Sequence, residues 1–134
     1  MAEQQNVQVV EGIYAAYGRG DMAACLDAVT DDIEWVIPGP SDLPIAGTFR
    51  GKAGLQEWLG KVMETMQFRV FEPREFIAQG DKVVVLVYSE IVFPRTGRDV
   101  AGTEVHVWTV RDGKVARHQS YEDTAAVADA YRGR

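Results

Sequence analysis

The sequence contains a single cysteine, Cys25, among its 134 residues. One cysteine cannot form an internal disulfide, and this usage fits a reducing, cytoplasmic environment. No apolar run approaches the roughly 20 residues that a membrane-spanning helix needs. Residues 1–12 also lack the basic and apolar stretches of a signal peptide. We therefore expect a cytoplasmic protein that has no membrane partner.

Basic residues are also scarce, since 14 Lys and Arg stand against 20 Asp and Glu, giving a net charge of −6. They form no dense run, which argues against a nucleic-acid partner. The only histidines, His106 and His118, fall on different predicted strands without metal-binding spacing. The sequence has neither a glycine-rich phosphate loop after a strand nor a G-x-S-x-G elbow. It therefore predicts neither a metal nor a cofactor.

The remaining composition is that of an ordinary globular protein, with 46% hydrophobic and 25% charged residues. Its length fits one domain that spans residues 1–134. A chain of this size buries roughly two-thirds of its unfolded surface, so its core needs no disulfide or metal.

Hydrophobic periodicity predicts helices in the N-terminal half and at the C-terminus. The first predicted helix ends at the "GRGD" stretch, and Asp21 is suited to cap a second one. The third has the clearest apolar stripe: Leu55, Trp58, Leu59, Val62 and Met66. Asp123 has two interpretations, a catalytic carboxylate or the N-cap of a short final helix, and the following "TAAVADAY" favours the cap.

The strand pattern begins with "DDIEWVIP", which must end at Pro38 because proline cannot donate to a ladder. Residues 38–50 are expected to form a loop, stiffened by prolines, at the lip of a pocket. From Phe68 onward the pattern predicts four antiparallel strands, the first bulged at Pro73. Helices followed by a meander of strands indicate an α+β fold. A bent sheet around one long amphipathic helix makes a cone whose open end is an apolar pocket.

Three stretches, together with the order of the elements that connect them, carry a resemblance to a known superfamily: "YAAYGRGDMAACLDAVTDDIEWVIPG", "IAGTFRGKAGLQEWL" and "VHVWTVRDGKVARHQSYEDT". The chain resembles the nuclear-transport-factor-2-like superfamily, most closely its SnoaL-like, ketosteroid-isomerase-related branch. The resemblance implies an α+β cone with three N-terminal helices on a strongly curved antiparallel sheet, and a short C-terminal helix. It also implies a homodimer through the sheet. Family members include isomerases, cyclases, dehydratases, hydrolases and proteins that only bind a ligand.

The resemblance places the base of the steroid isomerases directly before the proline that ends the first strand, which here is Ile37. Isoleucine cannot accept a proton, so we predict no steroid isomerase activity. The family's oxyanion tyrosine falls at Ile13, and Tyr14 points roughly 100° away from it around a helix. The sequence therefore favours packing on the sheet as the role of Tyr14.

The family's protonated Asp falls at His106, which shares a strand face with Glu104 and Trp108. Two interpretations stay open: an acid–base group in an apolar pocket, or a core histidine bonded to a backbone carbonyl. The cyclases of the family carry an acidic Asp two residues after a histidine on the last strand. Here His118 is followed at that distance by Ser120, which is no base by itself.

Glu122 could replace that acid if the last strand runs without a bulge. Tyr88 shares a face with Glu90, which points either into the cone or toward a partner sheet. The predicted catalytic residues are His106, Glu104, Glu122 and Ser120. The predicted ligand pocket comprises Trp35, Ile37, Trp58, Tyr88, Trp108, His118 and Tyr14.

We expect a small hydrophobic or polycyclic ligand, converted by acid–base chemistry without a cofactor. The alternative is a non-catalytic binding protein of the same fold.

Overall fold

The computed structural model describes residues 2–134 as four helices and six strands. In chain order they are α1 (Ala2–Gly18), α2 (Met22–Asp27), β1 (Val29–Ile37), β2 (Gly47–Arg50), α3 (Gly51–Thr65), β3 (Gln67–Gln79), β4 (Lys82–Phe93), β5 (Arg98–Arg111), β6 (Lys114–Tyr121) and α4 (Thr124–Arg132). The three N-terminal helices and the short C-terminal helix agree with the predicted architecture.

The six strands form one sheet in the order β2-β1-β6-β5-β4-β3. The structure corrects two expectations, that the sheet is purely antiparallel and that residues 38–50 form only a loop. First, β1 pairs with β6 in parallel, because the chain returns to β1 only after α3 and three further strands. Second, β2 lies inside the predicted loop and pairs antiparallel with β1. A four-residue strand is too short to give an alternation signal in the sequence.

The long strand β3 is irregular at two places. Its register with β4 shifts between Phe68 and Val70 and again between Pro73 and Glu75, so the predicted bulge at Pro73 is confirmed. Bulges increase the local twist and bend of a strand. The resulting curvature wraps the sheet around α1 and α3 and makes the cone.

Side-chain alternation gives the sheet a buried inner face and a half-exposed outer face. Along β4, Val87 and Ser89 are buried, whereas Tyr88 and Glu90 alternate with them and lie on the outer face. The prediction that Tyr88 lines the pocket is therefore wrong. Period-two alternation groups residues by face but does not say which face is the inner one. The homodimer expected on this outer face stays a prediction.

Both predicted helix caps form as expected. Asp21 Oδ1 accepts a hydrogen bond from the Ala24 amide at 3.0 Å. Asp123 Oδ1 accepts one from the Ala126 amide at 3.0 Å. Such a cap stabilises a helix by about 1 kcal/mol. Asp123 thus has the capping role that the sequence favoured.

Candidate functional site

A cavity of about 70 Å³ lies between the inner face of the sheet and helices α1 and α3. Ten of the eleven predicted site residues line it, and Tyr88 is the exception. Most of the remaining wall is apolar. A second space, an open groove of about 530 Å³, lies between α1, α2, α3 and the start of β3. The two spaces share seven lining residues: Tyr14, Tyr17, Cys25, Leu59, Met66, Phe68 and Phe71.

The polar wall of the cavity is built from the antiparallel pair β5 and β6. In their register His106 lies opposite Ser120, and Trp108 lies opposite His118. Since Val105 pairs with Tyr121, the same register places Glu104 opposite Glu122, one residue beyond the end of β6. The alternation predicted for both strands thus brings these side chains to one face.

Four of the cavity side chains form a continuous hydrogen-bonded relay. The Trp108 indole N–H donates to the Tyr14 hydroxyl at 3.0 Å. The Tyr14 oxygen is 2.7 Å from His106 Nδ1, and His106 Nε2 is 3.0 Å from Glu104 Oε1. We name these four residues (Trp108, Tyr14, His106 and Glu104) the relay. Because the partners of His106 are side chains, it is not the core histidine bonded to a backbone carbonyl that the sequence left open.

Donor and acceptor chemistry leaves one proton arrangement for a relay that joins a neutral imidazole to a carboxylate. A carboxylate can only accept, so His106 Nε2 carries the imidazole proton and donates to Glu104. Nδ1 of the neutral ring then accepts from the Tyr14 hydroxyl, whose oxygen accepts from the Trp108 indole N–H. Both nitrogens of His106 are occupied in this arrangement.

Tyr14 was expected to pack α1 against the sheet, and it does so with a further role. Its ring contacts Phe71, Phe76 and Trp108, while its hydroxyl is the centre of the relay. Burial raises the pKa of Tyr14, so the hydroxyl stays protonated near neutral pH. Ile13, at the position of the family's tyrosine, lines the same cavity. Ile13 and Tyr14 are neighbours on α1, and both are buried because the curved sheet covers a wide sector of this helix.

Glu122 is the cavity carboxyl whose pKa burial brings close to neutral pH. Burial raises the pKa of Glu122 to about 7, and the negative charge of Glu104 adds to the effect. Like charges directly opposite one another on neighbouring strands are unfavourable. Of the two carboxyls, Glu104 has a hydrogen-bond donor in His106. Glu122 is therefore the member of the pair that takes up a proton near neutral pH.

His118 lies deeper in the same wall. Its ring stacks on Trp35, with 4.0 Å between centroids and an interplanar angle of 18°. The pKa of His118 lies well below its usual value because of burial, with smaller contributions from His106 and Arg117. Its Nδ1 and the indole nitrogen of Trp35 are buried without hydrogen-bond partners in the described part of the chain. His118 is therefore a neutral wall residue near pH 7.

The loop between β1 and β2 covers one side of the cavity, as the sequence predicted for a pocket lip. Ile37 and Ile45 contribute to the wall, and the Trp58 indole N–H donates to the Ile45 carbonyl at 3.1 Å. On its outer side Asp42 accepts two hydrogen bonds from the Arg132 guanidinium of α4, at 2.8 and 2.7 Å. The loop is thus attached to both α3 and α4.

Residues 2–134 contain neither a candidate metal-binding cluster nor a candidate membrane-spanning helix. No group of three or more His, Cys, Asp and Glu side chains in this range could hold a metal ion. No helix in the same range is both long and apolar enough to cross a membrane.

Comparison with known proteins assigns the family. Residues 10–118 match the family of the SnoaL-like domain. The chain belongs to the SnoaL-like family. An NTF2-like protein from Burkholderia xenovorans is similar to this SnoaL-like chain at 41% identity, with a TM-score of 0.90 and 98% of each chain covered. This agreement confirms the predicted family and the predicted α+β cone.

Two further relatives of the SnoaL-like chain cover almost its whole length. TerC, whose crystal structure contains co-crystallised polyporic acid, is 35% identical over 96% of this chain and 98% of its own, with a TM-score of 0.86. An uncharacterized protein of Mycobacterium tuberculosis is 28% identical over 128 residues, which are 94% of this chain and 95% of the relative.

Several wall residues of the SnoaL-like domain were not predicted from the sequence. They include Tyr17, Ile45, Phe68 and Phe71. Tyr17 follows Tyr14 at the helical spacing of three residues, which is a usable signal. For Phe68 and Phe71 the two bulges of β3 break the alternation, so no simple period places them at the cavity.

Proposed function

We propose that this SnoaL-like protein is an enzyme that converts a small planar metabolite by acid–base chemistry, with Glu122 as the group that transfers the proton. One observation carries the proposal: two carboxyl groups, Glu104 and Glu122, line the same apolar cavity, and the charge of Glu104 adds to the rise in the pKa of Glu122. Neighbouring acids whose surroundings separate their pKa values are a recurring acid–base arrangement. A pKa of about 7 for Glu122 suits proton transfer in both directions near neutral pH.

In this proposal His106 has a positioning role instead of the leading acid–base role that the sequence suggested. Both of its ring nitrogens are occupied by Tyr14 and Glu104. The hydrogen bond from His106 positions the Glu104 carboxyl in the same wall as Glu122, and Ser120 is a hydroxyl within that wall.

The aromatic walls favour a planar ligand. Trp35 lies between Trp58 and Trp108, with 5.2 and 5.5 Å between ring centroids, and all three line the cavity. The related TerC has been co-crystallised with polyporic acid, which supports a small organic molecule as the ligand of this cavity. The cavity alone, about 70 Å³, has the volume of only a few water molecules. A polycyclic ligand would extend from it into the neighbouring groove of about 530 Å³.

The proposal can be tested without the natural substrate, because 2-tetralone is a bicyclic aromatic ketone with exchangeable C–H bonds next to its carbonyl group. The protein is incubated with 2-tetralone in D₂O, and deuterium uptake is followed by mass spectrometry. We expect faster uptake than in buffer, and a loss of about 100-fold or more in Glu122→Gln. Glu90→Gln is the matched control, because Glu90 lies on the outer face of the sheet. Equal uptake in the wild type and in Glu122→Gln would contradict the role of Glu122.

A non-catalytic binding protein is the second candidate. It is supported by Ile37 and Ser120, which stand where the two best-known branches of the family carry acids. A small molecule found by mass spectrometry in the purified protein, together with no deuterium uptake in any variant, would favour this alternative. Retention of that molecule by His106→Ala would favour it further.

A further inference from the structure

The cavity wall distributes hydrogen-bond donors and acceptors unevenly. We propose that its Glu104–Glu122 end selects an uncharged ligand that donates a hydroxyl group, namely a phenol or an enol. This inference deepens the proposed function, on which it rests by taking the same cavity as the ligand site. It specifies the ligand chemistry, whereas the proposed function specifies the proton transfer.

The first step is that the donors of the relay are already used. Trp108 donates to Tyr14, Tyr14 donates to His106, and His106 donates to Glu104. Each of these three residues has one polar proton in this arrangement, and each proton has an internal acceptor. None of them can offer a hydrogen bond to a ligand unless the relay is broken. Tyr14 and His106 therefore do not donate hydrogen bonds to a ligand oxyanion, as the corresponding groups do in the steroid isomerases.

The second step is that free acceptors remain at this end. The hydrogen bond recorded for Glu104 uses Oε1, which leaves the other oxygen for a ligand. The pKa of Glu122 is raised by burial and by the charge of Glu104. No hydrogen bond from another described residue contributes to that shift, so the carboxyl is available to a ligand. A hydroxyl group placed between the two carboxyls would donate to either, and hydrogen bonds to an ionised acceptor are stronger than those between neutral groups.

The third step is the charge of the wall. None of the described residues that line the cavity is Lys or Arg. An anionic ligand would thus meet two acidic groups with no cation to offset them, in surroundings that desolvate it. Above the pKa of Glu122, which is about 7, an ether oxygen would find only acceptors where it needs a donor. Both classes of ligand are disfavoured at this end.

The selection is local to the Glu104–Glu122 end. The Ser120 hydroxyl both donates and accepts, and so does a neutral imidazole such as His118 through its two nitrogens. The unpaired indole N–H of Trp35 is a donor on the wall formed by β1. A ligand that carries a hydroxyl at one end and a carbonyl toward Trp35 would satisfy both parts of the wall.

Three naphthalene probes of matched shape test the proposal: 2-naphthol, 2-methoxynaphthalene and 2-naphthoate. They present a hydroxyl donor, an acceptor without a donor, and an anion. Dissociation constants are measured at pH 8 by titration calorimetry. We expect 2-naphthol to bind at least about tenfold more tightly than 2-methoxynaphthalene, and 2-naphthoate to bind most weakly. In Glu122→Gln the preference should fall to about threefold or less, because an amide both donates and accepts. In Glu90→Gln it should be unchanged.

Equal binding of 2-naphthol and 2-methoxynaphthalene, tighter binding of 2-naphthoate, or no binding by any probe would overturn the proposal. A second measurement uses ¹⁵N NMR of the two histidines, with His118→Gln to assign the signals. The proposal requires a neutral His106 with its proton on Nε2, and a proton on Nδ1 would overturn it. Deuterium exchange of 2-tetralone without naphthol selectivity would leave the acid–base function standing. Naphthol selectivity without exchange would refute only the catalytic function.

Discussion

The protein contains two arrangements of a tyrosine with a glutamate, one on each face of the sheet. Inside, Tyr14 is connected to Glu104 through His106, and the first of these hydrogen bonds is 2.7 Å long. Outside, the Tyr88 hydroxyl donates directly to Glu90, also at 2.7 Å. The bond lengths and residue types are alike. The difference is that aromatic rings surround the inner group, whereas the outer one is partly exposed.

The two faces also differ in how their carboxylates are compensated. On the outer side Glu34 accepts hydrogen bonds from Arg117 and Arg50, and these hold its pKa below the ordinary value. In the cavity burial shifts the pKa of Glu122 in the opposite direction, to about 7. Surroundings, and not residue type, therefore decide which carboxyl of this fold is suited to proton transfer.

The largest expected effect concerns the pH dependence of stability. The pKa of Glu122 rises from its ordinary 4.5 to about 7 on folding, so the native state binds the proton more tightly than the unfolded state. Its contribution to stability is complete below pH 4.5 and is lost as the pH rises through about 7. The loss amounts to about 3 kcal/mol. His118 acts in the opposite direction over this range, because its pKa is lowered on folding, so the wild type alone does not isolate the effect. The measurable quantity is the difference in the free energy of unfolding between wild type and Glu122→Gln, which should change by about 3 kcal/mol between pH 5 and pH 8.5 in urea unfolding.

The comparison of the two faces provides the control for that measurement. In Glu122→Gln only the opposite contribution of His118 should remain of the two, so the stability of this variant should rise with pH relative to wild type. In Glu90→Gln the wild-type profile should be retained. If the profiles of wild type and Glu122→Gln run parallel, Glu122 is not the group that titrates.

A smaller effect is expected from removing the two tyrosine hydroxyls. Tyr14→Phe leaves the buried Trp108 N–H and His106 Nδ1 without a partner, which should lower the free energy of unfolding by about 2 kcal/mol. Tyr88→Phe removes a partly exposed hydrogen bond and should change it by less than about 0.5 kcal/mol. Chemical denaturation of both variants at pH 6 measures the difference. Similar losses in both variants would remove the distinction between the two faces.

The last prediction is the absence of steroid isomerase activity. The rim of the cavity presents Ile37 where a steroid isomerase has its base, so no shift of the double bond of a 5-ene-3-ketosteroid is expected. The absorbance of the conjugated product gives a direct assay. Robust turnover would show that another residue supplies the base and that the correspondence at Ile37 is wrong.

The sequence was sufficient for the features that local chemistry decides. Asp21 and Asp123 were predicted as caps because a carboxylate accepts from the exposed amides of a helix start. The inner rows of β5 and β6 followed from alternation, and Pro73 indicated a bulge because proline disturbs a ladder.

What depends on the arrangement of distant elements could not be predicted in the same way. Tyr88 was assigned to the wrong face because the two faces of β4 alternate with the same period. The relay needed the distance between α1 and β5, which no local pattern contains. For the same reason His106 was predicted as the leading acid–base group, because only the three-dimensional structure shows that both of its nitrogens are occupied.

The ion pair between Arg132 and Asp42 has a consequence for the speed of ligand exchange. It connects α4 to the loop that covers one side of the cavity, and both side chains are partly exposed. Exposed ion pairs weaken as salt screens them. If ligands leave by this side, their dissociation rate should rise with ionic strength, whereas a departure through the groove beside α1 would be nearly independent of salt. Because of this ion pair, the salt dependence of a ligand's residence time would indicate by which side of the cavity the ligand leaves.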